Sequence, residues 1–230
     1  MKLNILSIIL MFSISVSAQE KKENVNTVPE VKSFVTNHQI TNGGKLIRYK
    51  AVASEMYLKN DSEESTASIW SVAYIQEGVS DLTKRPVTFV FNRGPGSASV
   101  WLHMGMLGPK LVKVNSDAKE DDGAAPYNLV DNKNGLFDLT DLVFIDPVGT
   151  GYSQVIGKGK VKDYWGLNED ANSISKFIRQ WVTKNNRWFS PKYIAGESFG
   201  TVRAAAVALS LIHISEPTRL DLASRMPSSA

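Results

Sequence analysis

The chain has 230 residues, 43% of them hydrophobic, enough for one large or two small domains with a real core. Its 26 basic and 23 acidic side chains leave a formal charge of +3, too small to argue for nucleic acid as a partner. It contains no cysteine, which excludes a disulfide scaffold and a cysteine-anchored lipoprotein.

Residues 1–18 have the parts of a secretory signal: Lys2 for the charge, a short apolar run over 5–16, and the small-residue site Val16-Ser17-Ala18. The run is too short and too serine-punctuated to span a membrane, so the expectation is export, periplasmic or extracellular, without stable membrane insertion. Residues 19–37 are mostly polar and lack periodicity, and read as a mobile leader. A hairpin is expected over 38–53, with Asn42-Gly43 supplying the positive φ of the turn. Residues 68–74 (SIWSVAY) read as a further strand. Residues 87–91 (VTFVF) and 142–145 (LVFI) are continuous apolar runs, as in strands buried on both faces. Between them, 97–106 reads as a short helix opened by a serine cap at Ser97, and 110–114 as a brief strand. Residues 168–184 carry Ala171, Ile174, Phe177, Ile178, Trp181 and Val182 at helical spacing, with acids at the start and Lys184 at the end.

Residues 192–195 (KYIA) then read as a strand and 201–208 as the opening of an alanine-rich helix. Between them stands Gly196-Glu197-Ser198-Phe199-Gly200, a G-x-S-x-G. In a sharp strand-to-helix turn, glycines at both ends avoid backbone collisions and the serine hydroxyl stands exposed at a helix N-terminus. The order of elements is α/β, with parallel strands joined by right-handed crossovers. Asn92, Asp146 and Ser198 all fall at carboxyl ends of strands, where such sheets place their sites. An acyl-transfer serine needs a base, an orienting acid and two oxyanion donors. The Phe199 amide and the 92–96 loop are the candidate donors. No dinucleotide, phosphate-loop or metal spacing is present in the sequence, so no cofactor is expected.

Three blocks carry a family resemblance: residues 91–109 (FNRGPGSASVWLHMGMLGP), 142–153 (LVFIDPVGTGYS) and 193–200 (YIAGESFG). In this order and spacing they resemble signature blocks of the serine carboxypeptidase family, of the α/β-hydrolase superfamily. The resemblance covers roughly 41–208 and is read as the first half of such an enzyme. It implies that Ser198 is the nucleophile and that the amides of Gly94 and Phe199 form the oxyanion hole. It also implies that Asn92, the amide of Arg93 and the Glu197 carboxyl hold the C-terminal carboxylate of a peptide or protein substrate. Glu197 does so only while protonated, because two carboxylates that close cannot both ionise. Three departures stand out. Arg93 occupies a place that is usually glycine, where a β-carbon costs roughly 1–2 kcal/mol at positive φ. Met106 replaces a second glutamate of many eukaryotic members, and Ser97 a frequent half-cystine.

The triad order of this fold is serine, acid, histidine. The one histidine after Ser198 is His213, and no aspartate is assignable. His38 and His103 precede Ser198 and read as ordinary polar or partly buried residues. Residues 209–219 (LSLIHISEPTR) and 224–230 (SRMPSSA) are similar to an in-frame translation of a sequencing-library adapter. The expectation is therefore a native α/β-hydrolase segment over 38–208, stopping just after the nucleophile strand and the start of its helix, with a non-native tail at 209–230. On that reading the parent is an exported serine carboxypeptidase and the 230 residues alone are inactive. The alternatives are an esterase or acyltransferase of the same fold, or a non-catalytic fragment. The sequence leaves the oligomeric state open.

Overall fold

The computed structural model describes residues 30–92, 96–113 and 127–215. Among these residues seven strands form one mixed sheet in the order β1 (Ser33–Asn42), β2 (Lys45–Lys59), β3 (Ser65–Gln76), β7 (Asp141–Ile145), β4 (Val87–Phe91) and β9 (Lys192–Gly196), with the short β8 (Gln154–Val155) also paired to β3. Strands β1 (Ser33–Asn42), β2 (Lys45–Lys59) and β3 (Ser65–Gln76) form an antiparallel meander. The expected hairpin is present, but its register pairs Asn42 with Lys45, so the turn is Gly43-Gly44, with φ of +55° and +76°. Two successive positive φ values suit the right-handed twist of the flanking strands, and two glycines adopt them without a steric cost. β1 begins at Ser33, within the stretch whose composition suggested a leader.

β3 pairs antiparallel with β7 (Asp141–Ile145), and from there the sheet is parallel: β7 beside β4 (Val87–Phe91), and β4 beside β9 (Lys192–Gly196). All residues of β4 and β7 are buried, and their side chains alternate between two cores. Val87, Phe89, Phe91, Val143 and Ile145 face one core, where α2 (Leu167–Lys184) supplies Ile174, Phe177, Ile178, Trp181 and Val182. Val90, Leu142 and Phe144 face the other, with Tyr49, Tyr74, Leu102 and Phe137. Burial on both faces is why these two strands read as unbroken apolar runs rather than as alternating ones. A separate two-stranded ribbon pairs β5 (Lys110–Lys113) with β6 (Asn128–Asp131).

Two expectations are corrected here. The expected helix over 97–106 is a single turn, α1 (Val100–Leu102), followed by a π-helical turn over His103–Leu107. Ser97 does not cap it; the residue before the turn is Ser99, whose hydroxyl donates to the Ile145 carbonyl. The fold also does not stop near residue 208. Helix α3 (Phe199–Ser215) is 17 residues long and runs unbroken through that position. Because the backbone carries on as helix, the boundary drawn from the tail's resemblance to an adapter is not a boundary of the fold.

Candidate active site

Ser198 stands between β9 and α3 with a φ of +57°, in the left-handed region that non-glycine residues seldom occupy. The backbone closes on itself around it: the Gly200 amide donates to the Glu197 carbonyl at 2.8 Å and the Thr201 amide to the Ser198 carbonyl at 2.9 Å. Gly196 is sterically required and Gly200 sits in a tight place. A β-carbon on Gly196 would lie 2.1 Å from the Gly200 carbonyl oxygen, and one on Gly200 would lie 3.0 Å from the carbonyl oxygens of Phe91 and Asn92. The elbow is therefore pressed against the end of β4, and Ser198 itself is exposed. Backbone strain held by its surroundings at an exposed serine is the signature of a nucleophile elbow.

Parallel pairing of Phe91 with Gly196 brings Asn92 beside the elbow. Asn92 is 1% exposed, and its Oδ1 accepts from the Leu102 amide at 2.8 Å, which fixes the orientation of the side-chain amide. Its Nδ2 has no hydrogen-bond partner among the described residues. A buried amide donor left open in this way asks for an acceptor from outside. Glu197 is exposed beside Ser198, while Arg93 and Gly94 lie outside the described residues.

Asp146, at the carboxyl end of β7, is turned into the loop that follows it. Its Oδ1 accepts from the Ser99 amide at 2.8 Å, and Ser153 donates its hydroxyl to the Asp146 carbonyl at 2.6 Å. Burial holds its carboxyl above the usual range, opposed by the amide donors of Ser99 and Tyr152. Asp146 ties the 96–99 segment to the 147–153 loop and is committed to that task.

A residue that the sequence reading passed over joins the site together. Arg203, on the first turns of α3, is 2% exposed. Its Nε donates to Asp170 Oδ2 at 2.5 Å and its Nη1 to the Asn92 carbonyl at 3.1 Å. The guanidinium also lies 5.5 Å from the Phe91 ring centroid and 5.4 Å from that of Phe199. One cation thus touches α2, the end of β4 and the residue following Ser198. The signal was available: an arginine inside the alanine-rich run 201–208, where a buried helix face has no use for a charge without a partner.

No described side chain brings a base to Ser198. His38 pairs with Thr36 and stacks on Tyr49. His103 bonds through Nε2 to the Tyr74 hydroxyl at 2.6 Å and stacks on Phe144 at 4.4 Å. Burial pushes the His103 ring down to about 4. The unfolded ring gains its proton near pH 6.5 and the folded ring only near 4, so the stability is complete above the first value and is lost as pH falls toward the second. At full strength that window is worth about 3 kcal/mol. His103→Phe is expected to remove this acid-side slope while leaving the Tyr74 hydroxyl unpaired. Urea midpoints of the two proteins across the window would check it; an unchanged slope counts against the assignment.

A mixed sheet whose parallel strands end at a serine with a strained backbone is the arrangement of the α/β-hydrolase fold. The chain belongs to the serine carboxypeptidase family, whose model matches residues 51–220. That span corrects the resemblance read from the blocks alone: it takes in most of the chain and passes through 209–220, where an adapter was expected. Among relatives, Serine carboxypeptidase-like 51 of Arabidopsis thaliana is 37% identical over 84 residues, 36% of this chain and 18% of that protein. Serine carboxypeptidase-like 16 of Arabidopsis thaliana is 29% identical over 119 residues, 50% of this chain and 25% of that protein. The matches thus span a quarter or less of these relatives' lengths. The crystal structure of Kex1(delta)p, a prohormone-processing carboxypeptidase from Saccharomyces cerevisiae, shares the fold with a TM-score of 0.55 and 20% identity, over 74% of this chain and 35% of that one.

Proposed function

We propose that this chain contributes the nucleophile and the carboxylate-binding half of an exported serine-type carboxypeptidase that releases C-terminal residues through an acyl-enzyme. Ser198 attacks the last peptide carbonyl, and the amides of Phe199 and Gly94 receive the oxyanion. Asn92, the Arg93 amide and the Glu197 carboxyl hold the substrate's terminal carboxylate. The observation that carries this reading is the open Nδ2 of Asn92, buried beside the elbow with its other amide atom already fixed. No helix among the described residues is long and apolar enough to cross a membrane. Export rests on the signal-like segment 1–18 alone.

Proton transfer at Ser198 needs a base and an orienting acid that no described residue supplies. The reading is therefore tested through binding rather than through turnover. A short peptide with a free C-terminus is expected to bind the chain about 10- to 100-fold more tightly than the same peptide amidated, the worth of hydrogen bonds to a charged group. Calorimetry measures the ratio. Equal affinities would transfer the site to an ester-cleaving or acyl-transferring relative, which has no use for a carboxylate clamp.

A further inference from the structure

Asn92 offers its Nδ2 in a fixed direction only while its Oδ1 stays on the Leu102 amide, and that amide belongs to a weak element. α1 is three residues long and passes straight into the π-helical turn His103–Leu107. A helix this short has no stability of its own, and π turns are rare and frequently sit at functional sites. The backbone bonds around it are few: the His103 amide donates to the Ser99 carbonyl at 2.9 Å and the Gly108 amide to the His103 carbonyl at 2.9 Å. Side chains supply the rest of the anchoring. Leu102 is buried in the core that holds Val90 and Phe144, but apolar packing is non-directional and fixes depth rather than rotation. The next residue supplies direction. His103 Nε2 and the Tyr74 hydroxyl of β3 lie 2.6 Å apart, and the His103 ring stacks on Phe144 of β7. A β-carbon on Gly108 would lie 2.2 Å from the His103 carbonyl oxygen, so the far end of the turn closes on His103 too.

We propose that His103 is a positioning residue: its bond to Tyr74 sets the Leu102 amide, and through that amide the direction in which Asn92 presents Nδ2. The proposal rests on the carboxypeptidase reading for what Nδ2 receives, but not for how Nδ2 is held. Imidazole suits the place for two reasons. Its face packs as a flat ring against Phe144, and its edge meets the polar atom that Tyr74 brings into this core. A buried phenol and a buried imidazole satisfy each other in one arrangement, because any other leaves two polar atoms unpaired. The path from Asn92 at the end of β4, through Leu102 and His103 over Phe144 of β7, to Tyr74 of β3 crosses three neighbouring strands. The rigid sheet thereby carries the orientation of one side-chain amide.

The test compares wild type with Tyr74→Phe, which removes a single oxygen, with His103→Leu, and with His103→Gln, whose amide can still meet the Tyr74 hydroxyl. The first readout needs no ligand: the side-chain amide resonances of Asn92 in the free 230-residue chain. Tyr74→Phe and His103→Leu are expected to move them together toward those of a freely rotating amide, and His103→Gln to keep them near wild type. The second readout is the affinity for the short peptide with a free C-terminus over that for its amide. That ratio is expected to fall about tenfold in Tyr74→Phe and His103→Leu, the worth of one hydrogen bond to a charged group, and to be retained in His103→Gln. A role in stability alone would lower the melting temperature and move neither readout, and that result in Tyr74→Phe overturns the proposal. So does His103→Gln matching His103→Leu in both. Should the His103 variants fail to fold, Tyr74→Phe decides. The two proposals fail separately: equal affinity of wild type for the two peptides removes the carboxylate clamp, while the Asn92 resonances still report whether His103 holds its amide.

Discussion

Asp141→Ala is expected to lower the stability of the fold by about 3–5 kcal/mol, the cost of breaking a buried ion pair from one side. Asp141 is wholly buried at the start of β7. Its Oδ1 accepts from the Gln76 amide at 3.0 Å and from Arg85 Nε at 3.1 Å, and its Oδ2 from Arg187 Nη1 at 2.5 Å. The two guanidiniums spend most of their other donors on backbone carbonyls. Arg85 reaches the carbonyls of Phe137 and Asp138, and Arg187 those of Arg85 and Pro86, with Ser190 Oγ at 2.6 Å from its Nε. Removing the carboxylate leaves two cations fixed in a space that water does not reach. Asp141→Asn keeps the volume and one acceptor, and is expected to lose less. Denaturant midpoints give the order wild type, Asn, Ala. A loss below about 1 kcal/mol for the alanine variant would mean that the arginines relax to solvent.

This cluster sits where β4, β7 and β9 begin, at the opposite end of the sheet from Ser198. It gathers groups far apart in sequence, with Arg85 and Arg187 separated by 102 positions. The same separation explains what could and could not be read beforehand. Periodicity is local, so α2 and the buried strands β4 and β7 were legible from runs of a few residues. The elbow was legible because a β-carbon at Gly196 collides with backbone and one at Gly200 fits only tightly. The Asp141 cluster was not, because each side chain is an ordinary charge until the sheet brings its partner to it; Arg203 stood out as a charge in an alanine-rich run, but its partners Asp170 and the Asn92 carbonyl lie far away in sequence. The hairpin turn was placed one residue early for a different reason: Asn-Gly and Gly-Gly both suit it, and the cross-strand register decided between them. The extent of the chain's fold was misread because a resemblance in the tail was given more weight than its apolar helical continuation from Phe199 to Ser215.

Arg203→Met is expected to reach the site as well as the fold. The substitution keeps a long apolar stem between the rings of Phe91 and Phe199 but leaves Asp170, with a side chain 13% exposed, facing no cation. A loss of about 3–5 kcal/mol follows from stranding a buried charge. Adding Asp170→Asn is expected to recover part of it, since removing both charges is milder than removing one. Arg203→Lys is not a conservative repair: an ammonium cannot hold Asp170 and the Asn92 carbonyl with one planar fork while stacking on two rings. The pH dependence identifies the cause. Burial raises the Asp170 carboxyl above its ordinary value, and the bond and charge of Arg203 oppose that rise. A carboxyl raised in the folded state binds its proton more tightly there, so its contribution is complete below the unfolded value and is lost as pH climbs through the folded one. Without Arg203 nothing opposes burial, and the decline should become steeper and extend to higher pH. Denaturation midpoints across the acidic range would reveal it in Arg203→Met and not in the double variant. If both variants track the wild-type slope, Asp170 reaches water when its partner leaves. The ion pair would then hold the elbow against β4 by geometry rather than by charge.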